Sequence, residues 1–441
     1  MTSYEQTAAD YARRRDAAAA AVRQAGSASV GLRKSTSNLF RERAALRKQR
    51  IEADAFNHVL QVDPAAQWVD AEGMTTYEAL VDATLAHGVM PAVVPELKTI
   101  TLGGAAVGVG IEATSFRHGL VHETLLEMDV LTGAGEVVLA RPDNEHRDLF
   151  FGLPNSYGTL GYALRLRART LPVKAYVRVE HRRFDNAEKF FAALAQACAG
   201  DADFVDGVVF APEALYLNVA HFVATAPATS DYTFEHMYYR SIAEKPVDHL
   251  TAHDYIWRWD TDWFWCSKNL GAQVPWIRRL YGRQRLNSRT YTRIMRWSSR
   301  WKVRYGIDRL RGLRSESVIQ DVDIPLANAA EFLAFFQQQI GISPIWICPV
   351  GPTRTANAFP LFARAPDTLY VNFGFWDVVR TREKRAAGHF NRLIEAKVTA
   401  LGGIKSLYSD SYFSREQFAV AYGGAAYTAL KARYDPDSRL G

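Results

Sequence analysis

The stretch MPAVVPELKTITLGGAAVGVGIEATSFRHGL, residues 90–120, decides how the rest of this 441-residue chain is read. An apolar run at Ala92-Val93-Val94 stops at Pro95, and a second at residues 99–102 stops at Gly103-Gly104. Gly108, Gly110 and Gly119 follow, with Thr114 and Ser115 before the last of them. Residues without a Cβ let a ligand approach the backbone, and successive bare N–H groups form an anion-binding nest. The segment therefore reads as a loop that can lie against a phosphate. The alternative is a glycine-rich turn between strands.

Residues 108–113, Gly-Val-Gly-Ile-Glu-Ala, also fit the dinucleotide pattern G-x-G-x-x-G/A, and Asp129 follows at about the expected offset of ~20. A turn of that kind needs a clean strand before it and a long amphipathic helix directly after it. Here Gly103-Gly104 precedes it, and residues 114–119 carry no helical periodicity. The match is set aside as a nicotinamide fingerprint.

Length admits two domains, or one domain with an insertion, and 48% hydrophobic residues support real cores. A net charge of +6 favours an anionic partner: a phosphate cofactor, a lipid headgroup or nucleic acid. Cys198, Cys266 and Cys348 are far apart, so neither a zinc site nor a disulfide framework is expected, and no metal site is assigned. This cysteine usage fits a reducing, cytoplasmic compartment. Residues 4–23 are Ala-rich and charged, an exposed helix rather than a signal segment, and no run of about 18 apolar residues exists to span a bilayer.

Taken in order, Ser35-Thr36-Ser37-Asn38 sit between basic residues and suit either a helix cap or a diphosphate. Residues 59–63 and 68–71 read as paired strands, and 75–87 as a helix capped by Thr75. Residues 125–138 have a hairpin pattern around Gly133 and Gly135. A strand of alternating Arg and apolar residues then runs to Pro172. Beyond it, 186–199 have helical spacing and 204–223 read as two strands. Further strands are expected at 318–325, 345–348 and 369–374, with helices at 327–340 and 381–401 and after Ser414.

The order of these features resembles the vanillyl-alcohol-oxidase-type FAD-binding fold, through the loop at 90–120, the hairpin LEMDVLTGAGEVV and the block DLFFGLPNSYGTLGYALRLRART. SPIWICPV (343–350) and LYSDSYFSREQF (407–418) look like its diminuto, or delta-24 sterol reductase, branch. RKSTSNLFR and DYIWRWDTDWFWCSKNLGAQ look closer to a bacterial branch that reduces 10-methylene fatty-acyl chains in the tuberculostearic acid pathway. The resemblance implies an α+β chain: a two-subdomain, PCMH-type FAD-binding domain with an inserted α+β cap over the substrate. The corresponding boundaries are 1–173, 174–405 and a C-terminal return at 406–441. It implies that Ser35, Thr36, Ser37 and Asn38 form a first diphosphate loop, and that Leu97, Thr101, Gly103, Gly104, Gly108, Gly110, Ser115 and Gly119 line a second. Gly161 and Tyr162 would meet the flavin. Residues 31–41 contain no His, so FAD is expected to be non-covalent, with His118 the only nearby exception. NADPH is implied as reductant, an acyl lipid as substrate and a methyltransferase as a pathway partner.

Two further segments bear on chemistry. Residues 253–265 interleave Trp257, Trp259, Trp263 and Trp265 with Asp260 and Asp262, and buried carboxylates need partners. They are read either as core or as a substrate wall. Residues 276–314 hold thirteen Lys or Arg against one acid, Asp308, with six Trp or Tyr among them. That pattern serves nucleic acid by phosphate contact and stacking, an anionic membrane through Trp and Tyr at headgroup depth, or simply a solvated face. With a lipid substrate implied, the inner face of the plasma membrane is the expected partner and nucleic acid is not. An isolated C=C bond has no carbonyl to polarise it, so protonation should precede hydride delivery from the flavin. Acid candidates are Tyr408, Asp410, Tyr412 and Glu416, together with Asp260 and Asp262. Competing functions are an oxidase, dehydrogenase or sterol reductase of the same fold, and a non-catalytic basic protein at a lipid surface.

Overall fold

The computed structural model describes residues 3–34, 48–301, 312–352 and 359–440, with side chains described for 6–34, 48–295, 312–352 and 359–440. Its strands are β1 (Val30–Arg33), β2 (Gln49–Glu52), β3 (Val59–Asp63), β4 (Trp68–Glu72), β5 (Val89–Pro91), β6 (Leu125–Leu131), β7 (Val137–Ala140), β8 (Tyr162–Pro172), β9 (Tyr176–Phe184), β10 (Phe204–Ala211), β11 (Ala214–Val223), β12 (Val247–Thr251), β13 (Arg314–Pro325), β14 (Ile345–Val350), β15 (Tyr370–Thr381) and β16 (Ile404–Lys405). β1 and β2 form a parallel pair. An antiparallel sheet runs β3-β4-β8-β6-β7, with β5 also paired to β8. A second sheet runs β12-β9-β11-β10-β14-β15-β13-β16. The chain is α+β, with all of the first sheet before residue 173 and all of the second after it.

The period-2 pattern of β8 explains the first sheet. Leu164, Leu166 and Ala168 are buried on one face. On the other, Arg165 donates to Asp70 (2.7 Å), Glu127 (2.9 Å) and Asp129 (2.8 Å). Tyr11 of the N-terminal helix Ser3–Gln24 donates to the same Asp129 at 2.6 Å, which fastens that helix across the sheet. In the second sheet, Val205, Val209, Ile345 and Ile347 face helices Ala187–Ala199 and Ala329–Gln339 in one core. Their neighbours Val208, Trp346 and Cys348 face the first sheet in another.

Several boundaries differ from the sequence reading for local reasons. The helix expected from Thr75 is Tyr77–Leu85, capped by Thr76, because the Thr75 hydroxyl donates to His58 O at 3.0 Å instead. The run 99–102 opens a helix, Leu102–Val107, whose Thr101 cap accepts from Gly104 N–H at 3.2 Å. The helix expected at 381–401 is His389–Ala400, since β15 carries the chain through Thr381 and Gly388 (φ 69°) starts the turn. Gly423 (φ 60°) splits the C-terminal helix into Arg415–Ala421 and Gly424–Tyr434. The latter returns to the first sheet, where Lys431 Nζ donates to Thr159 O at 2.7 Å.

The two sheets meet at a buried ionic cluster. Arg258 contacts Glu96, Glu112 (2.8 Å) and Asp206 (2.9 Å), and all four groups are buried. Removing one partner from such a cluster leaves charge uncompensated in the interior, so Arg258→Met is expected to lower unfolding free energy by about 3–5 kcal/mol. The midpoint of denaturant unfolding checks this. A loss below about 1 kcal/mol would show that the cluster does not hold the two halves together.

Candidate functional site

Between the sheets lies a cleft of about 1380 Å³. One wall is glycine-rich: Gly73, Thr101, Gly103, Gly104, Gly108 and Gly110, with Leu97, Gly161 and Tyr162 beside them. This wall depends on two nested glycines. A Cβ on Gly73 would lie 2.0 Å from Ala163 O, and one on Gly103 would lie 2.8 Å from Gly73 O. Only hydrogen at both positions lets helix Leu102–Val107 start against β4 and β8. Basic side chains from the β1–β2 pair, Lys34, Lys48 and Arg50, also reach the cleft.

The opposite wall is aromatic. Trp263, Phe264, Trp346 and Trp376 line it, with ring centroids 4.5 Å apart for Phe264–Trp376 and 5.4 Å for Phe264–Trp346. Val109 (φ 54°), Tyr157 (φ 51°), Trp263 (φ 43°) and Phe264 (φ 58°) all take left-handed backbone and all line the cleft. Such conformations cost on the order of 1–3 kcal/mol each and persist where packing over-determines them.

Set into the aromatic wall is a hydrogen-bonded pair. Tyr408 Oη accepts from Trp376 Nε1–H at 2.8 Å and is hydrogen-bonded to Asp321. Asp321 lines the cleft, and burial pushes its carboxyl up to about 7, with the bond to Tyr408 pulling the other way and Asp323 adding to the rise. Burial, followed by the Asp321 charge, raises the Tyr408 phenol well above its ordinary value. It is therefore a donor at neutral pH. Asp323, one strand period away, is pushed up to about 6 by burial. Glu96 and Glu112 also line the cleft, and burial raises both despite Arg258.

The predicted residues divide. Leu97, Thr101, Gly103, Gly104, Gly108, Gly110, Gly161, Tyr162, Tyr408 and Asp410 meet around this one cleft. Ser35, Thr36, Ser37 and Asn38 lie outside the described residues. Ser115 does not line the cleft; it is buried, and its hydroxyl accepts from Glu112 N–H at 3.1 Å. Gly119 (φ 73°) ends the short helix Ser115–His118 over the Glu123 carboxylate, also away from the cleft. Asp260 is a strut rather than a wall residue: it accepts from Ser288 and from Lys98 N–H at 3.3 Å. Asp262 is likewise held by Arg278 at 2.7 and 3.0 Å. Tyr412 turns to Glu395 and Arg392, and Glu416 sits exposed at the Ser414 cap. Asp321 was missed, although Asp321 and Asp323 at alternate positions of an apolar strand are a legible signal. Trp346 and Trp376 carried none beyond β propensity.

The FAD binding domain family matches residues 8–141, which include the whole glycine wall from Gly73 to Gly110. The Delta(24)-sterol reductase of Homo sapiens is 25% identical over 398 residues, covering 85% of this chain and 73% of that protein. That of Arabidopsis thaliana is 26% identical over 435 residues, covering 87% and 74%. Cytokinin dehydrogenase 7 of Oryza sativa subsp. japonica is 37% identical over 114 residues, 26% of this chain and 22% of its own.

The cleft suits the cofactor. It exceeds the ~300–1,000 Å³ of ordinary ligand sites, offers bare backbone with basic side chains for a diphosphate, and leaves an aromatic chamber beyond. Among the described residues no histidine lines it. Gly103→Ala is expected to weaken flavin retention about tenfold or more, because the new Cβ must push the helix off Gly73. Flavin titration against an unchanged circular dichroism spectrum checks this, and undiminished affinity would remove the nested glycines from the site. Asp321 makes a separate prediction. Its folded-state value is raised, so the folded chain keeps a proton that the unfolded chain has lost between about pH 4 and about 7. Its contribution is whole below that window and withdrawn as pH rises through about 7. Asp321→Asn should therefore lose less thermal stability than the parent chain between about pH 4 and about pH 8. Parallel melting curves would refute the raised value. With its FAD-binding domain and its cleft, the chain is an FAD-dependent oxidoreductase.

Proposed function

We propose that this protein reduces an isolated carbon–carbon double bond in a lipid, and that the bond is the 10-methylene group of a phospholipid-linked acyl chain, converted to a 10-methyl branch with NADPH as donor. The observation that carries the reading is the Trp376–Tyr408–Asp321 arrangement inside an aromatic chamber that adjoins the glycine wall. An unactivated alkene needs a proton donor, a dry site and walls that tolerate positive charge. The Tyr408 hydroxyl is a neutral acid, and Trp376 N–H is placed to stabilise the oxygen as it loses its proton. A protonated Asp321 carboxyl behind it returns that proton, so no bare phenolate accumulates in the wall. The faces of Phe264, Trp346 and Trp376 suit developing cationic character at the branched carbon. Bound flavin would supply the hydride. A methylene-branched acyl chain presupposes a methyltransferase upstream.

A second reading has its own support. The relatives that span most of the chain are named Delta(24)-sterol reductases, and a sterol side-chain double bond poses the same chemical problem.

Anaerobic mixing of NADPH-reduced protein with vesicles holding either a 10-methylene phospholipid or a sterol with an unsaturated side chain separates the two readings. Flavin reoxidation with gain of two hydrogens on the acyl chain is expected with the first lipid only. Turnover of the sterol alone would replace the acyl reading, and turnover of neither would remove both. Tyr408→Phe should lower the rate of flavin reoxidation by lipid about 10²–10⁴-fold while leaving reduction by NADPH within about twofold. Unchanged reoxidation would take Tyr408 out of the proton path.

A further inference from the structure

We propose that the face carrying Trp276 and Leu280 seats the protein on an anionic membrane surface and turns the mouth of the cleft toward the lipid. The proposal rests on the lipid reading of the cleft and deepens it by naming the partner. Helix Pro275–Tyr281 carries Trp276 at 64% and Leu280 at 70% exposure, one turn apart on the same side, with Val274 at 41% just before them. Single exposed apolar residues are ordinary, but a contiguous group of large ones marks an interaction surface.

This face is held outward rigidly. Arg278, on the other side of the same helix, is buried and bound by both Asp262 oxygens. The structural role found for Asp262 is thus to aim Trp276 and Leu280 at solvent.

Charge and position choose the occupant. Residues 277–295 contain six arginines and no acid. Arg279, Arg283 and Arg289 reach acids on neighbouring elements, but exposed pairs of this kind contribute only about 0–1 kcal/mol each and exchange readily. Arg285 and Arg293 are exposed, and neither forms an ion pair among the described residues. An apolar ridge flanked by arginine and carrying an exposed Trp matches the boundary between headgroups and acyl chains. Two large side chains and a valine fall far short of the ~800 Å² per partner of a stable protein interface. The ridge is also bracketed in sequence by cleft-lining residues: Asn269 and Leu270 before it, and Arg289, Thr292 and Arg293 after it. Among the described residues no helix is long and apolar enough to cross a bilayer.

Co-sedimentation of the flavin-loaded full chain with phosphatidylcholine vesicles, with and without phosphatidylglycerol, tests the proposal. Binding is expected only with phosphatidylglycerol and should fall with salt. Trp276→Ser/Leu280→Ser should weaken it about tenfold or more, and Arg285→Glu about fivefold, with melting temperature and flavin absorbance unchanged. The parent chain failing to sediment with anionic vesicles, or the double variant binding as well as the parent, overturns the proposal. Self-association that the double variant abolishes, without vesicle binding, would assign the face to a second copy and overturn it equally. Partitioning needs no turnover, so its failure leaves the reductase reading intact, and failure of lipid reduction leaves the partitioning result standing.

Discussion

Arg258 is the point at which the two halves of the molecule become one site. Its guanidinium is buried against Glu96 and Glu112 from the glycine-rich half and Asp206 from β10, with the Tyr255 ring 4.2 Å away. Taking such groups out of water is costly, and the geometry recovers that cost only when every remaining donor and acceptor is used. Much of the surrounding network does this. Asn218 Nδ2–H and Trp346 Nε1–H donate to Asp206 at 2.7 and 3.3 Å, and Trp259 N–H donates to Glu96 at 3.0 Å. The last bond matters for the cleft, because Trp259 leads directly into the aromatic wall at Trp263 and Phe264.

The wall is therefore suspended from the ionic cluster rather than from its own packing alone. Lys98 N–H to Asp260 adds a second tie, one residue beyond Trp259 and two beyond Glu96. Directly after these ties and Asp262, which Arg278 holds, the chain passes through two consecutive left-handed residues, Trp263 and Phe264. Phe264 then stacks on Trp259 with centroids 4.9 Å apart and 19° between planes. These two left-handed residues follow directly on the anchored segment 259–262, and both of them line the cleft.

How much of this was legible follows from what each residue does locally. The glycine wall was readable because absent side chains at Gly103, Gly104, Gly108 and Gly110 have few other uses at that spacing. Strand alternation in β8 and the hairpin of β6 and β7 were readable because period 2 survives any tertiary context. The roles of Asp260 and Asp262 were not, since an acid flanked by tryptophans looks alike whether it faces a substrate or a buried Ser288 or Arg278. Ser115 and Gly119 failed for a similar reason: hydroxyl and glycine near a phosphate loop also build caps and tight turns. Asp321 lies in a strand whose apolar residues account for its fold without the acids, yet two acids at positions of the same parity already place both on one face.

The two acidic groupings at the cleft differ in one respect that sorts their roles. Glu96 and Glu112 face a fixed guanidinium, so a proton leaving either is opposed by burial but assisted by Arg258. Asp321 has no such cation among the groups that set its value: burial and Asp323 hold the proton on, and only the Tyr408 hydroxyl favours its release. Release becomes easier when positive charge develops across the aromatic chamber, because that charge is then the missing counter-ion. In the proposed reaction, an acid that holds its proton up to about pH 7 and gives it up as positive charge develops suits protonation of an unactivated alkene, since it lowers the barrier without binding the neutral ground state more tightly.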